Sequence, residues 1–355
     1  MGGAERVALD LATVQQEQGH DVCVLCLSDS ALAPMASEFA SAGITVHDLV
    51  KRPGLDYRLP WEVGQRLREL GAQVAHTHNT QPLVYAAAAS RIAGLVVVHT
   101  KHGEGHLVSK MGQFLRRLGS PFVHSFVAVS EKTAEHARAQ WAYPIRSRIR
   151  VIPNGIRVDK HNTDSEARRK IRKELGIPED AQVVLTVGRC DPNKNQAALV
   201  RICDSLLSPD FHLVFAGSGE SLSELQEVAS ACSLPDSVHI LGSRQDIPSL
   251  MAAADVFALP SLSEGLPLVL LEAMACQLPV VCSAVGGIPD VVNNSVGILV
   301  SPEDESVWTE ALTLLSGNKG MAHEMGIAGR ALVQEQYSAS RMSDAYVELY
   351  RNAMR

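Results

Sequence analysis

The chain has 355 residues, 46% hydrophobic and 20% charged, enough apolar material for two α/β domains with separate cores and too little polarity for a long disordered tract. Its formal net charge of −7 argues against nucleic acid as the main partner, and no apolar run approaches the ~20 residues of a membrane span. The first residues show no signal-peptide pattern, so a cytoplasmic location is expected.

Gly2-Gly3 stands ahead of an amphipathic helix marked by Val7, Leu9, Leu11 and Val14. Such a loop feeds backbone N–H groups toward a ligand and lets it come close; a flexible terminus is the competing reading. Apolar stretches at 22–27, 44–49, 74–77, 96–100 and 126–129 alternate with helical ones, as in a parallel sheet covered on both faces. Cys23 and Cys26 spell C-x-x-C in the first stretch, where positions three apart face opposite sides. They and the other five cysteines read as core filler in a reducing compartment. His76 and His78 share a strand face, with His99, His102 and His106 following; ordinary core and rim histidines are the reading adopted over a metal cluster, since the chain has no Asp-x-Asp. Met111, Phe114, Leu115 and Leu118 form a helical stripe beside Lys110, Arg116 and Arg117, facing either the core or a shallow membrane contact.

The run Val151-Ile152-Pro153-Asn154-Gly155-Ile156 ends a strand in a turn, and a charged stretch at 159–173 follows. The boundaries are therefore set at 1–156 and 157–336, with a closing helix at 337–355 carrying Met342, Tyr346 and Leu349 on one stripe. Strands are expected at 183–187, 212–216, 238–241, 256–259, 279–282 and 297–300. Gly188-Arg189 ends the first of these and Lys194 follows, two cations at the carboxyl end of a parallel strand, where such sheets bind ligands. Gly217 and Gly219 end the next strand, but Leu222 replaces the third glycine of a dinucleotide fingerprint. Between Ser261 and Glu272 lies a strand-to-helix turn with Glu264 and Glu272 eight apart, and a helix is expected to start beside Gly265 with Pro267 in its first turn. The backbone of 266–268 would then point at an anion such as a nucleotide diphosphate, while the carboxylates accept from hydroxyls. In the bland alternative Glu264 caps the helix and Glu272 is solvated. Gly286 and Gly287 read as serving backbone geometry.

In order and spacing, Gly2-Gly3-Ala4-Glu5-Arg6, Lys101-His102-Gly103, Pro153-Asn154-Gly155, Val187-Gly188-Arg189 with Lys194-Asn195, and Glu264 to Glu272 resemble the retaining glycosyltransferases of family four. The resemblance implies the GT-B fold, two facing Rossmann-like doubly wound parallel-sheet domains, with the last helix crossing back to the first. It also implies transfer of a sugar from a nucleoside diphosphate to an acceptor hydroxyl with retention, without a metal or a cofactor beyond the sugar nucleotide. In that scheme Glu264 contacts the sugar, Glu272 the ribose, and the backbone of Gly265, Leu266 and Pro267 the phosphates. Arg189 and Lys194 neutralise the leaving diphosphate, His102 faces the sugar, Gly2 and Gly3 lie by the donor phosphates, and Gly188, Gly217 and Gly219 lie beside the nucleotide. The implied acceptor is a saccharide or lipid-linked saccharide of surface polysaccharide or glycolipid synthesis, placing the protein at the inner face of a membrane. Family members have a strand before the Gly-Gly-Ala-Glu-Arg loop that is missing here, so a misassigned start codon or truncation is expected, with unpaired edges in the middle of the first domain. A nucleotide-sugar 2-epimerase, a NAD-dependent dehydrogenase, for which a convincing dinucleotide fingerprint is lacking, and a non-enzymatic or inactive sugar-nucleotide binder are the rival functions. The base, sugar, acceptor and oligomeric state have no legible code in the sequence.

Overall fold

The computed structural model describes residues 2–29, 35–103, 120–140 and 149–355. The stripe at 111–118 with its basic flank, and His106, lie outside the described residues. The chain forms two compact units, residues 1–155 with 339–355, and residues 156–338.

In the first unit, β1 (Cys23–Cys26) pairs with β2 (Thr45–Asp48), while β3 (Val74–Thr77), β4 (Val96–Lys101), β5 (Ser125–Ala128) and β6 (Ile149–Val151) form a second sheet in that order, every pairing parallel. The parallel sheet is thus in two pieces: among the described residues no further strand pairs with β1 or with β3. Burial follows this break. The first five residues of β4 are buried, as a covered central strand requires, whereas β1 and β3 are mostly half-buried. This corrects the view of the cysteines as core filler: Cys190, Cys203, Cys276 and Cys282 are buried, but Cys26 and Cys232 only partly so and Cys23 is exposed, on a strand covered by a neighbour on one side alone. The helix Leu59–Glu69 turns Leu59, Val63 and Leu67 inward at a spacing of four, and the helix Thr80–Ala93 stops at Gly94, whose φ of 67° closes it in the left-handed conformation.

The closing helix, Ala339–Met354, packs on the first unit through Met342, Ser343 and Tyr346; Leu349, expected on the same stripe, is only half-buried. Its anchoring is polar as well as apolar. The Tyr350 hydroxyl is 2.7 Å from His76 Nδ1, His76 Nε2 is 2.7 Å from Thr100 Oγ1, and Thr100 Oγ1 is 2.8 Å from the Tyr346 hydroxyl. Ser343 donates to Gln18 Oε1 at 2.6 Å, and Gln18 Nε2 donates to Asp344 at 2.8 Å. Beside this chain His78 Nδ1 lies 2.9 Å from His102 Nε2. His99 faces the other side of β4, against Thr77 and Phe126, so the expected row of histidines divides between the two faces.

Burial holds these imidazoles neutral: it pulls His76 down to about 3 and His102 to about 4, with His78 also well below its ordinary value, the neighbouring histidines adding to the shifts of His76 and His78. A base whose folded pKa lies below its unfolded value of ~6.5 takes its proton more readily in the unfolded chain. Stability is therefore fully present above pH ~6.5 and falls as the pH drops toward 4, by at most ~1.4 kcal/mol per pH unit for each histidine. Urea unfolding at pH 7 and pH 5 checks this: the midpoint should fall with pH, and His76→Gln should flatten the slope.

In the second unit, β7 (Gln182–Val187), β8 (Phe211–Ala216), β9 (Val238–Ile240), β10 (Val256–Leu259), β11 (Val280–Ser283) and β12 (Gly297–Val300) form one parallel sheet in the order β12-β11-β10-β7-β8-β9. The chain winds outward from β7 one way and, after β9, returns to build outward from β10 the other way. Loops leaving β7 and β10 at their carboxyl ends diverge, and this switch point is where a doubly wound sheet opens a crevice.

Behind that sheet, the helix Ser165–Leu175 starts on Asp164, which accepts the N–H groups of Glu166 and Ala167, and ends at Gly176 with φ 69°. One of its cations is fully buried. Arg172 donates to the carbonyls of Ala253 at 3.0 Å, Pro178 and Glu179 at 2.9 Å and Ala181 at 2.7 Å, and to Asp255 Oδ2 at 2.8 Å. Arg168 holds the other Asp255 oxygen at 2.7 Å, and Val183 N–H donates to Oδ2 at 2.8 Å. This network ties the helix to the starts of β7 and β10.

Candidate functional site

The loops after β7 and β10 meet around one carboxylate. Past β10, fully buried Ser261 donates to Glu264 Oε1 at 2.7 Å, and Lys194 Nζ donates to the same oxygen at 2.5 Å. The side chains of Lys194 and Glu264 are 20% and 10% exposed, so the pair is sheltered from water. Lys194 is brought there by a short turn, Pro192–Lys194, in which Asp191 accepts Asn193 N–H at 3.0 Å, while Leu262 N–H donates to Asn193 O at 2.7 Å and joins the loops.

A second support lies behind Glu264. At Gly286, φ is +57° and an added Cβ would fall 1.8 Å from the Glu264 carbonyl oxygen, while Gly287 N–H donates to Gly265 O at 2.7 Å. Only glycine fits such an approach, so the Gly286-Gly287 loop fixes the peptide that carries the carboxylate.

Gly217 and Gly219 have a related task. Their Cβ atoms would lie 1.8 Å from Gly188 O and 2.2 Å from Cys190 O, and Cys190 N–H donates to Ser218 O at 3.0 Å, so close packing of the β7 and β8 loops demands both glycines. At Gly188 the nearest atoms are Lys194 side-chain carbons at 3.8 Å and 3.9 Å, an ordinary contact. Nothing among the described residues requires glycine there.

Arg189 and Lys194, the two cations expected at this strand end, each have an acidic partner in the protein itself. Lys194 is committed to Glu264, and Arg189, with a side chain 68% exposed, donates through Nε to Asp191 Oδ2 at 2.9 Å. Two cations face two carboxylates, because a cation at the edge of a low-dielectric crevice takes the nearest acid. The Arg189 contact is an exposed one, worth ~1 kcal/mol or less, and easily exchanged.

The helix after the Gly265-Leu266-Pro267 turn begins at Leu268, not beside Gly265: Leu268–Ala275, with Pro267 extended at φ −73° and ψ 127° just before it. Proline disfavours helical backbone at the preceding Leu266 and brings no N–H of its own, so the donors of this helix start are the amides of 268–270. Among the described residues no side chain caps them, and Glu264 turns instead to Ser261 and Lys194. Glu272 lies in the second turn, half-buried.

Gly2, Gly3 and His102 belong to the first unit. Gly2 is the cap position of the helix Gly3–Glu17 and Gly3 its first residue, so the expected loop is shorter than two glycines. His102 Nδ1 is buried and has no hydrogen-bond partner among the described residues. Ser261 and Asp191 were not singled out in the sequence; their signal was position alone, Ser261 three before Glu264 and Asp191 two after Arg189.

Comparison with known proteins adds three findings. Residues 167–332 match the family model for glycosyl transferases group 1, and residues 1–160 match that for glycosyltransferase family 4. The chain is 27% identical to UDP-Gal:alpha-D-GlcNAc-diphosphoundecaprenol alpha-1,3-galactosyltransferase of Escherichia coli over 334 residues, 90% of this chain and 86% of that one. It is 30% identical to the putative teichuronic acid biosynthesis glycosyltransferase TuaC of Bacillus subtilis, over 80% of this chain and 72% of the relative. The crystal structure of HepE from Anabaena in complex with UDP and glucose matches at a TM-score of 0.87 and 22% identity, over 99% of this chain and 96% of that one.

Proposed function

The chain belongs to the group 1, family 4 glycosyltransferases of the GT-B fold, and from that membership we propose that it transfers a sugar from a nucleoside diphosphate to an acceptor hydroxyl with retention of configuration. As a glycosyltransferase it uses nucleotide sugars in glycolipid or polysaccharide synthesis. The observation that carries the finer reading is the sheltered Ser261–Glu264–Lys194 group beside an uncapped helix start.

With Oε1 occupied by Ser261 and Lys194, Glu264 offers Oε2 to a sugar hydroxyl, and Glu272 takes the ribose hydroxyls. The diphosphate lies over the amides of 268–270, close to Gly188, with Arg189 exchanging Asp191 for a phosphate oxygen. When the bond between the anomeric carbon and the phosphate oxygen breaks, the sugar becomes oxocarbenium-like and negative charge grows on the leaving oxygen. The pull of Arg189, Lys194 and the helix start grows with it, which is what lowers the barrier. That oxygen accepts the acceptor's proton on the face it leaves, giving retention. Two cations and a helix start supply the positive charge a divalent metal would bring, so the reaction is proposed to need neither metal nor cofactor. His102, held neutral by burial, is the residue that the family resemblance sets facing the sugar.

The relative acting on UDP-Gal and a diphosphoundecaprenol-linked sugar, and the neighbour holding UDP and glucose, favour a UDP-sugar donor and a lipid-linked saccharide acceptor. Thermal shift with UDP-, GDP- and ADP-sugars tests the donor: at a hundred times Kd, binding adds ~2.7 kcal/mol, or roughly 5–10 °C for a domain of this size. Labelled transfer to an undecaprenyl-diphosphate saccharide, without added metal and with the anomer read by NMR, tests the rest. An inverted product, a requirement for added metal, or epimerised sugar nucleotide released without acceptor overturns the reading.

A further inference from the structure

Four large apolar or aromatic side chains exposed on the described surface fall within one twelve-residue stretch of the first unit: Val50 at 62%, Leu55 at 37%, Tyr57 at 83% and Trp61 at 59%. The stretch is built, not slack. Asp56 accepts Arg52 N–H on one oxygen and Arg58 N–H on the other, both at 3.1 Å, and its own N–H donates to the Tyr85 hydroxyl at 3.3 Å. Lys51 Nζ closes the turn on the carbonyls of Arg52 at 2.8 Å and Gly54 at 2.6 Å. The one carboxylate in the stretch is thereby turned inward, nine-tenths buried, while Arg52 and Arg58 stay exposed. Trp61 enters the helix Leu59–Glu69 on the face opposite Leu59, Val63 and Leu67, and exposed Arg68 lies two turns further along that outer face.

On a chain of net charge −7 this stretch is a local inversion: between Asp48 and Glu62, which bracket it, its exposed or half-exposed charges, Lys51, Arg52 and Arg58, are all cations. Tyrosine and tryptophan favour the boundary where an apolar body meets a wet polar tip, and cations beside them match headgroup phosphates. We propose that this turn and helix start dock on an anionic lipid surface, with Tyr57 and Trp61 at headgroup depth, Val50 and Leu55 beside them, and Arg52 and Arg58 on the phosphates. The stretch is separate in sequence from the 111–118 stripe. The inference rests on the first unit's surface alone and stands whether or not the donor-site reading holds.

Flotation with vesicles of phosphatidylcholine alone, and of phosphatidylcholine mixed with phosphatidylglycerol, tests it without nucleotide or acceptor. The protein is expected to float with the anionic vesicles only, and to be released by salt. Arg52→Gln and Arg58→Gln should each weaken binding about fivefold, and Tyr57→Ser with Trp61→Ser about tenfold or more, with parental melting curves because all four positions are exposed. In a Trp141→Phe background, emission should shift to the blue on binding, since the remaining Trp308 is fully buried. The proposal is overturned by absence of flotation, by equal flotation of the Tyr57→Ser/Trp61→Ser variant, or by a concentration-dependent dimer that this variant dissolves without any vesicle binding.

Discussion

Glu264→Gln is expected to lower kcat for sugar transfer about a hundred- to a thousandfold while the second unit keeps its fold. Glutamine preserves the shape and can still accept from Ser261, but it removes the charge that pairs with Lys194 and sets both cation and carboxylate against the reacting sugar. Lys194→Met should lose a similar factor, because it deletes a cation acting on the leaving group and also releases Glu264 from its position. Since the two act as one unit, the double variant should be little worse than the poorer single. Ser261→Ala keeps both charges and should cost much less, through positioning alone. Turnover near that of the parent in Glu264→Gln would remove the central assignment.

The second large effect concerns stability, far from any chemistry. Asp255→Asn is expected to destabilise the second unit by ~3–5 kcal/mol, because it leaves the fully buried Arg172 guanidinium without its counter-charge. At roughly 2–4 °C per kcal/mol for a domain of this size, the melting temperature should fall by about 6–20 °C. Arg172→Met should also be destabilising, as four backbone carbonyls lose their donor together. Combining the two substitutions removes the uncompensated charge, so the double variant should melt above the sum of the single losses. A fall of under ~2 °C in Asp255→Asn would show that the network contributes little.

Much of the architecture could be read in advance, and the reason is physical. Strands buried on both faces must be mostly apolar, so β7, β8, β10 and β11 stand out from the polar loops between them. Strand β6, only three residues long with exposed Arg150 at its centre, lacks that signal and was seen only as the lead into the Pro-Asn-Gly turn. The carboxylate pair was legible because a strand, a glycine-proline turn and a helix follow one another around Glu264. What each acid would hold was not legible, because the Lys194 and Ser261 contacts depend on loops from two different strands meeting. Arg172 was hidden for another reason. It sits in a run of cations at 168–173 that resembles a solvated helix face, and only the carbonyls at 178–181 and 253, together with Asp255, select which arginine turns inward. Likewise the partners of His76 and Thr100 on the closing helix are 274 and 246 residues away, beyond any local pattern.

The interrupted sheet of the first unit bears on how this protein behaves in a tube. Among the described residues, strands β1 and β3 each have one edge with no strand paired to it, a rim of amide and carbonyl groups to which an extended peptide can add. Precipitation at high concentration should therefore begin in this unit, and a short apolar peptide supplied in excess should compete by adding to these edges first.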